Sequence, residues 1–268
     1  MELGLKNRVA IITGSSHGIG KAIAISLAKE GARVVICGRN PDTLSEVHDE
    51  IKRIGGDVVA VTANVTHSED VKKVISQTIA GFGDKIDILI NNVGGAEKFG
   101  NLLELDDQDW RDSFELNVMS IVQFVRETLP WMRTSPMPRI INISSVSGIE
   151  PGFYNPHYTI MKAAVINLSK YLANQYASDG ILVNVVCPGP TFSNSWDRNI
   201  QRIADLREIH FDEAKNLVEN EESAKIPLGR IGTGVDVASL VTYLASDQAN
   251  WITGSCFIVD GGKLRSIH

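Results

Sequence analysis

Short runs of β-branched and aliphatic residues alternate with stretches of helical periodicity along almost the whole chain. Residues 8–13 (RVAIIT), 33–37, 57–62, 86–91, 139–143, 182–187 and 256–259 read as seven strands. The first six lack a strict polar/apolar alternation, which is the pattern of parallel strands covered on both faces. Helical segments lie between them. Residues 19–30 place Ile19, Ile23 and Leu27 on one face and stop at Gly31, a residue suited to a left-handed helix end. Residues 42–54 close at Gly55 and Gly56, residues 68–80 close at Gly81, and 106–132 and 155–177 predict the two longest helices. This alternation predicts an α/β fold, a doubly wound parallel sheet of seven strands joined by right-handed crossovers. No linker, repeat or low-complexity tract interrupts it, so residues 1–268 read as a single domain.

The rhythm breaks once. Residues 191–230 follow the sixth strand with about forty residues that contain no strand, and their middle, 205–225, is acidic and weakly helical. Connections this long in a compact domain are functional or disordered. Trp196, Ile203, Leu206, Phe211 and Leu217 give the segment apolar side chains to dock with, so it reads as a substrate lid.

Composition narrows the function classes. The 268 residues are 43% hydrophobic and 22% charged, enough apolar material for one sizeable core. The net charge of −6 argues against a nucleic-acid or anionic-membrane surface, since both need a basic face. No apolar run approaches the roughly 18 residues that span a bilayer. The opening MELGLKNRVA lacks the apolar stretch behind basic residues of a signal peptide, so a cytoplasmic protein is expected. Cys37, Cys187 and Cys256 are odd in number and widely spaced, which suggests neither a disulfide framework nor a metal site. Each lies in a predicted strand and reads as a small buried side chain.

Chemistry enters with TGSSHGIG, Thr13 to Gly20, where the first strand meets the first helix. A pyrophosphate packs against main-chain N–H groups and the positive end of a helix dipole, and a Cβ there would obstruct it. Gly14 suits the tight turn, Gly18 the close approach, and Gly20 the packing of helix on strand. In this position the loop predicts a Rossmann-type, NAD(P)-binding domain. The end of the second strand reads VVICGRN, so Gly38 and Arg39 stand where a carboxylate would bind the ribose 2′-hydroxyl of NAD. Nothing there repels a 2′-phosphate, and a guanidinium is placed to grip it. NADP(H) is therefore the preferred cofactor; a solvated Arg39 would leave NAD(H) as the alternative. His17 lines the same loop.

Farther along stand NNVG (residues 91–94), Asn117, ISSVSG (143–148), Tyr158 with Lys162 four residues on, CPG (187–189) and TGSCFIVDGG (253–262). By these motifs, in this order and spacing, residues from about 5 to 262 resemble the short-chain dehydrogenase/reductase family. The likeness is to its compact single-domain type, which includes 3-oxoacyl-(acyl-carrier-protein) reductases. The resemblance implies cofactor contacts from Gly14, Ser16, His17, Gly18, Ile19 and Gly20, from Arg39, and from Asn64 and Val65 after the third strand. It adds Asn91 at the end of the fourth strand, Tyr158 and Lys162, and then Pro188, Gly189, Thr191 and Ser193. Asn64 departs from the family's common aspartate beside the adenine but keeps an acceptor oxygen. Ser193 replaces a usual threonine and keeps the hydroxyl. Family members are commonly tetramers built through two long helices, so a homo-oligomer, a tetramer, is expected by resemblance.

Reducing a ketone needs a hydride donor, a proton donor at the developing alkoxide and a group that polarises the carbonyl. Tyr158 and Lys162 fall on one face of a predicted helix. A free tyrosine, with a pKa of about 10, is a poor base at pH 7. An ammonium about 5 Å away favours the phenolate by roughly 3 kcal/mol, which draws the phenol toward neutrality. Ser145, thirteen residues before Tyr158, matches the family's spacing better than Ser144 and would hold the substrate oxygen. A nucleophilic serine is the weaker reading, because no His–Asp partnership accompanies it. Asn117 matches the family asparagine that holds a water next to the lysine. His157 points about 100° away from Tyr158 on the helix and reads as a local hydrogen-bonding residue.

The expected function is hydride transfer between NADP(H) and a small-molecule carbonyl or secondary alcohol, in the manner of a 3-oxoacyl reductase. An NAD-dependent alcohol, sugar or steroid dehydrogenase of the same family is the alternative. A non-catalytic dinucleotide-binding regulator is a remoter one, at odds with the presence of Asn117, Ser145, Tyr158 and Lys162. A lyase or epimerase would be expected to carry a larger C-terminal domain. No metal is expected, and no basic cluster in 191–230 calls for a highly anionic substrate.

Overall fold

The computed structural model describes residues 2–266. Strands β1 (Val9–Thr13), β2 (Arg33–Gly38), β3 (Asp57–Thr62), β4 (Ile88–Asn91), β5 (Arg139–Ile143), β6 (Leu182–Pro188) and β7 (Cys256–Val259) pair in parallel. Their order in the sheet is β3-β2-β1-β4-β5-β6-β7. All seven expected strands are present, each within two residues of its expected limits. The helices are α1 (Gly18–Lys29), α2 (Pro41–Arg53), α3 (Ser68–Phe82), α4 (Asp107–Phe114), α5 (Ser120–Met132), α6 (Pro156–Tyr176), α7 (Asn194–Arg207), α8 (Phe211–Ser223) and α9 (Gly234–Ala245).

Adjacent residues of one strand serve opposite cores. Ala10, Ile12, Val34 and Ile36 join Ile23 and Leu27 of α1 and Val241 of α9 on one side of the sheet. Ile11, Val35 and Leu89 join Val74 of α3, Phe124 of α5 and Val165 of α6 on the other. Burial on both sides removes the alternation of polar and apolar positions, the signal read from the sequence. The order reverses between β1 and β4, and in open α/β sheets the ligand crevice lies beyond the carboxyl ends of the strands at that point.

Three features differ from expectation. Helix α9 is not among the predicted segments: GVDVASLVTYLA is apolar on nearly every side, which hides its 3.6-residue period. The predicted 106–132 helix carries a π-turn at Glu115–Met119 between α4 and α5, where the side-chain amide of Asn117 donates to the Ser113 carbonyl at 2.9 Å. The third is the segment 191–230, which forms two helices rather than a weakly helical middle. Helices α7 and α8 pack together around Ile200, Ala204, Ala214 and Val218, with Trp196, Ile203, Phe211 and Leu217 against them. Leu206 stays exposed. The two ends of the segment meet in a narrow neck, where Thr191 bridges Gly232, Phe192 N–H donates to Gly232 O at 3.1 Å and Gly232 N–H donates to Pro190 O at 2.9 Å.

Candidate active site

One cavity of about 420 Å³ opens at the carboxyl ends of the strands. Its floor is the loop between β1 and α1. Gly14 and Gly18 adopt left-handed φ angles of 64° and 52°, and a Cβ on Gly20 would overlap the Gly14 carbonyl oxygen. The loop is lashed to the end of β4. Thr13 Oγ1 accepts from Asn92 N (2.9 Å) and Val93 N (3.1 Å), while Asn92 Nδ2 donates to Thr13 O (3.0 Å) and Gly14 O (3.1 Å). The start of α1 has neither a side-chain cap nor an acid in its first turn, so its N–H groups and dipole remain available to an anion. His17 Nδ1 is buried without a hydrogen-bond partner among the described residues. These glycines, free N–H groups and the orphaned imidazole nitrogen fit a pyrophosphate.

At one end of the cavity are Ser16, Gly38 and Arg39. A Cβ on Gly38 would lie 3.1 Å from Ser16 Oγ, so only glycine leaves this niche open. Arg39 is largely exposed and its Nη1 lies 3.3 Å from Glu97 Oε1. Asn64 and Val65 border the same end, but the Asn64 amide oxygen is already taken by Thr66 N (3.2 Å) and Thr66 Oγ1 (3.0 Å). The acceptor expected for an adenine is thus engaged in its own turn. Ile19, Pro188, Gly189, Thr191 and Ser193 also line the cavity. Thr191 Oγ1 donates to Gly189 O at 3.0 Å, and Ser193 caps α7 by accepting from Trp196 N at 3.3 Å.

At the other end β5 and α6 bring Ser145, Tyr158 and Lys162 together. Ser144 is used structurally, donating to Lys162 O at 2.7 Å, whereas Ser145 caps the short turn Val146–Gly148 through Ser147 N (3.1 Å) and borders the cavity. Lys162 Nζ lies 5.7 Å from the centre of the Tyr158 ring and donates to Ile143 O at 3.0 Å. Lys162 is almost wholly buried, and burial pulls its pKa down to about 8. Burial raises the Tyr158 pKa, with the Ser145 hydroxyl acting weakly against it. The direction is set by desolvation of the phenolate, opposite to the drop expected from a nearby ammonium.

Asn117 lies beside this pair, and its side chain ties down the neighbouring loop. Its Oδ1 accepts from Gly95 N (3.0 Å) and its Nδ2 donates to Gly95 O (3.0 Å) as well as to Ser113 O. A Cβ on Gly94 would overlap both Lys162 Nζ and Asn117 Oδ1, so these two groups close on one glycine. Asn91 is not at the cavity. It is buried in the sheet, where Nδ2 donates to Asn142 Oδ1 at 2.8 Å and Asn142 passes the contact to Ser169 Oγ at 2.9 Å. Asn92 holds the glycine loop instead; successive strand residues face opposite sides, and one of two adjacent asparagines must turn inward. His157 sits edge-on to Trp110 at 6.2 Å in a separate small cavity with Lys98 and Asp109, and burial lowers its pKa.

Several lining residues carried no motif. Arg198 Nη2 donates to Ser195 Oγ (3.2 Å) and Ala96 O (3.4 Å), and Arg202 lies over the rings of Phe99 and Tyr154 at 5.9 and 5.5 Å. The segment 191–230 thus brings two arginines, one helical turn apart, to the loops around the cavity, which its sequence alone did not suggest.

A family model described as enoyl-(acyl carrier protein) reductase matches residues 14–263. The 3-oxoacyl-(acyl-carrier-protein) reductase FabG of Staphylococcus epidermidis is 34% identical over 257 residues, covering 96% of this chain and 98% of that protein. The uncharacterized oxidoreductase YvrD of Bacillus subtilis is 34% identical over the full length of both chains. Among solved structures, L-sorbose reductase from Gluconobacter frateurii, complexed with NADPH and L-sorbose, superposes with a TM-score of 0.93 at 33% identity, covering all of both chains.

Proposed function

The chain belongs to the short-chain dehydrogenase/reductase family and is an NADP(H)-dependent carbonyl reductase, and we propose that Ser145, Tyr158 and Lys162 carry its reaction. The observation that supports these roles is a single cavity with Lys162 Nζ 5.7 Å from the Tyr158 ring at one end and the Ser16–Gly38–Arg39 niche at the other. NADPH, when bound, supplies the hydride. The first loop and the start of α1 hold its pyrophosphate, and Arg39 with Ser16 reads its 2′-phosphate.

The residues around the carbonyl then have separate tasks. Ser145 donates a hydrogen bond to the substrate oxygen and stabilises charge as it develops there. Tyr158, kept protonated at neutral pH by burial, delivers its proton to that oxygen. Lys162, still mostly an ammonium at pH 7, stabilises the phenolate left behind and is held in place by Ile143 O. Asn117 holds the 94–95 loop beside Lys162.

The segment 191–230 serves as a substrate lid. It borders the catalytic end through Ser195 and Arg198, and its own two-helix core lets it move as a unit. A cytoplasmic homotetramer accords with the family's usual assembly. Ile160 and Tyr171 of α6 and Val235 of α9 are large apolar side chains on the surface of one subunit, suited to subunit contacts. No helix among the described residues is long and apolar enough to cross a membrane.

Following cofactor absorbance over a panel of ketones, 3-oxoacyl thioesters and ketoses, with NADPH and then NADH, tests the reading. Turnover should be faster with NADPH; loss of absorbance with no carbonyl compound in the panel would refute it.

A further inference from the structure

Cys187 and Cys256 meet across the outermost strand pair, sulfur to sulfur at 3.5 Å. The strand register pairs Val185 with Cys256 and Cys187 with Ile258, so the two thiols face each other diagonally. Cys187 is buried as its sequence context suggests. Cys256 is exposed, contrary to that reading, because β7 is the edge strand of the sheet. Neither sulfur has a task in the proposed chemistry.

Cys187 nevertheless stands directly behind the site. Pro188 and Gly189, the next two residues, line the cavity. Its neighbour in space, Ser144, donates to Lys162 O, and its own thiol, whose pKa is raised by the Cys256 contact and by burial, is neutral. Gly189 has no slack: its N–H donates to Val259 O at 2.9 Å, and a Cβ there would lie 2.7 Å from Asp260 Cβ.

We propose that Cys187 and Cys256 form an oxidation site, in which a hydroperoxide converts the thiol pair to a disulfide and switches the reductase off. The Cys256 thiolate attacks one peroxide oxygen and the O–O bond breaks. Cys256 becomes a sulfenic acid, and the second oxygen departs as water or an alcohol. The Cys187 thiol then attacks the sulfenic sulfur, forming the S–S bond and releasing the sulfenic oxygen, with the thiol proton, as water. Two thiols lose two electrons and one peroxide gains them. The hydrogen bond from Cys187 holds the Cys256 pKa below the ordinary thiol value, and an exposed thiol with thiolate character is the reactive kind. Cys37 is no competitor: burial pushes its pKa up to about 12, and it lies on β2 in the other half of the sheet.

The bond acts on catalysis through distance. Disulfide sulfurs lie about 2.05 Å apart. Closing the present gap brings the two sulfurs together by more than an ångström on a diagonal between the strands, and the strain falls on Cys187, next to Pro188 and Gly189 in the wall of the cofactor cavity.

The experiment treats the reduced full-length protein with a few equivalents of hydrogen peroxide. The expected result is an intact mass lower by two hydrogens, a peptide pair joined through Cys187 and Cys256, and a fall of about fivefold or more in NADPH oxidation that dithiothreitol reverses. Cys256→Ser should keep the untreated rate and resist peroxide, with Cys256→Val as a second variant should the serine disturb the edge strand. The proposal is overturned if no Cys187–Cys256 linkage forms, if the linked protein keeps its full rate, or if the variants lose activity as the parent does. The linkage is read by mass without turnover, so its absence is separable from a failure of the reductase reading.

Discussion

Arg39 and Glu97 face each other at the cavity rim, Nη1 3.3 Å from Oε1, joining the turn after β2 to the loop after β4. Both side chains are more than half exposed, so the pair itself adds little stability, and the guanidinium is easily surrendered to a stronger anion. Arg39→Ala should raise KM for NADPH about tenfold or more, the worth of a charge-assisted hydrogen bond, while KM for NADH moves little. Glu97→Gln removes the competing carboxylate and should lower KM for NADPH. Steady-state kinetics with both cofactors decides; parallel changes with NADPH and NADH would mean that Arg39 does not read the 2′-phosphate.

Tyr158→Phe removes the proton donor and nothing else of size. Turnover should drop by about 10²–10⁴, the range of general acid catalysis, while NADPH binding followed by fluorescence stays within a factor of a few. Ser145→Ala should lower kcat by about 10²–10³, as the loss of a donor to developing charge does.

Lys162 ties activity and stability to pH in opposite directions. Its pKa is held at about 8, against 10.5 in the unfolded chain. The ammonium is needed for turnover, so kcat/KM for reduction should fall as pH rises through about 8. Between about 8 and 10.5 the unfolded chain binds the extra proton, so the folded state gains stability over the same rise. Lys162→Met should be inactive yet melt a few degrees higher, at about 2–4 °C per kcal/mol for a chain near this size, as an active-site residue kept at a cost to stability does. An unchanged or lower melting temperature, measured by calorimetry, would mean that its bond to Ile143 O outweighs the cost of burying the charge.

Gly94→Ala should impair catalysis without unfolding the sheet, because the added methyl overlaps Lys162 Nζ and Asn117 Oδ1. Asn117→Ala strips two bonds from Gly95 and two from Ser113. A buried polar group left without its partner costs about 1–3 kcal/mol, so this variant should lose both stability and kcat. A thermal melt beside the kinetics separates the two: Gly94→Ala should lose mainly kcat, and Asn117→Ala both.

The sheet was legible because burial on both faces writes itself into the strands as unbroken apolar runs such as RVAIIT, and because glycine marks the helix ends. The same logic failed for α9, where apolar residues on nearly every side leave no clear stripe to betray the period. Helical spacing puts Tyr158 and Lys162 on one face, but only the motifs around them single this pair out. Choosing between Asn91 and Asn92 depended on which residue ends β4 facing the loop, a matter of strand phase that adjacent identical residues conceal. Arg198 and Glu97 reach the cavity through contacts between segments 102 and 58 residues apart, and no local pattern announces them. Cys256 was misplaced for a related reason: its apolar neighbours identify a strand, but not that the strand lies at the sheet's edge.

The neck where Thr191 bridges Gly232 makes the forty residues between them a cassette. Both ends enter and leave at one place, α7 and α8 fold around their own small core, and the segment touches the rest of the chain at a few points, among them Arg198 on Ala96 O, Leu228 N–H on Gly261 O at 3.2 Å and Glu222 on Lys263. Loop-closure entropy grows only slowly with length, which makes insertions at such a neck thermodynamically cheap. Substrate preference is then free to drift by exchange of this cassette while the hydride and proton machinery stays fixed. Grafting residues 191–232 of a relative with a known substrate onto this chain is the direct way to move that preference.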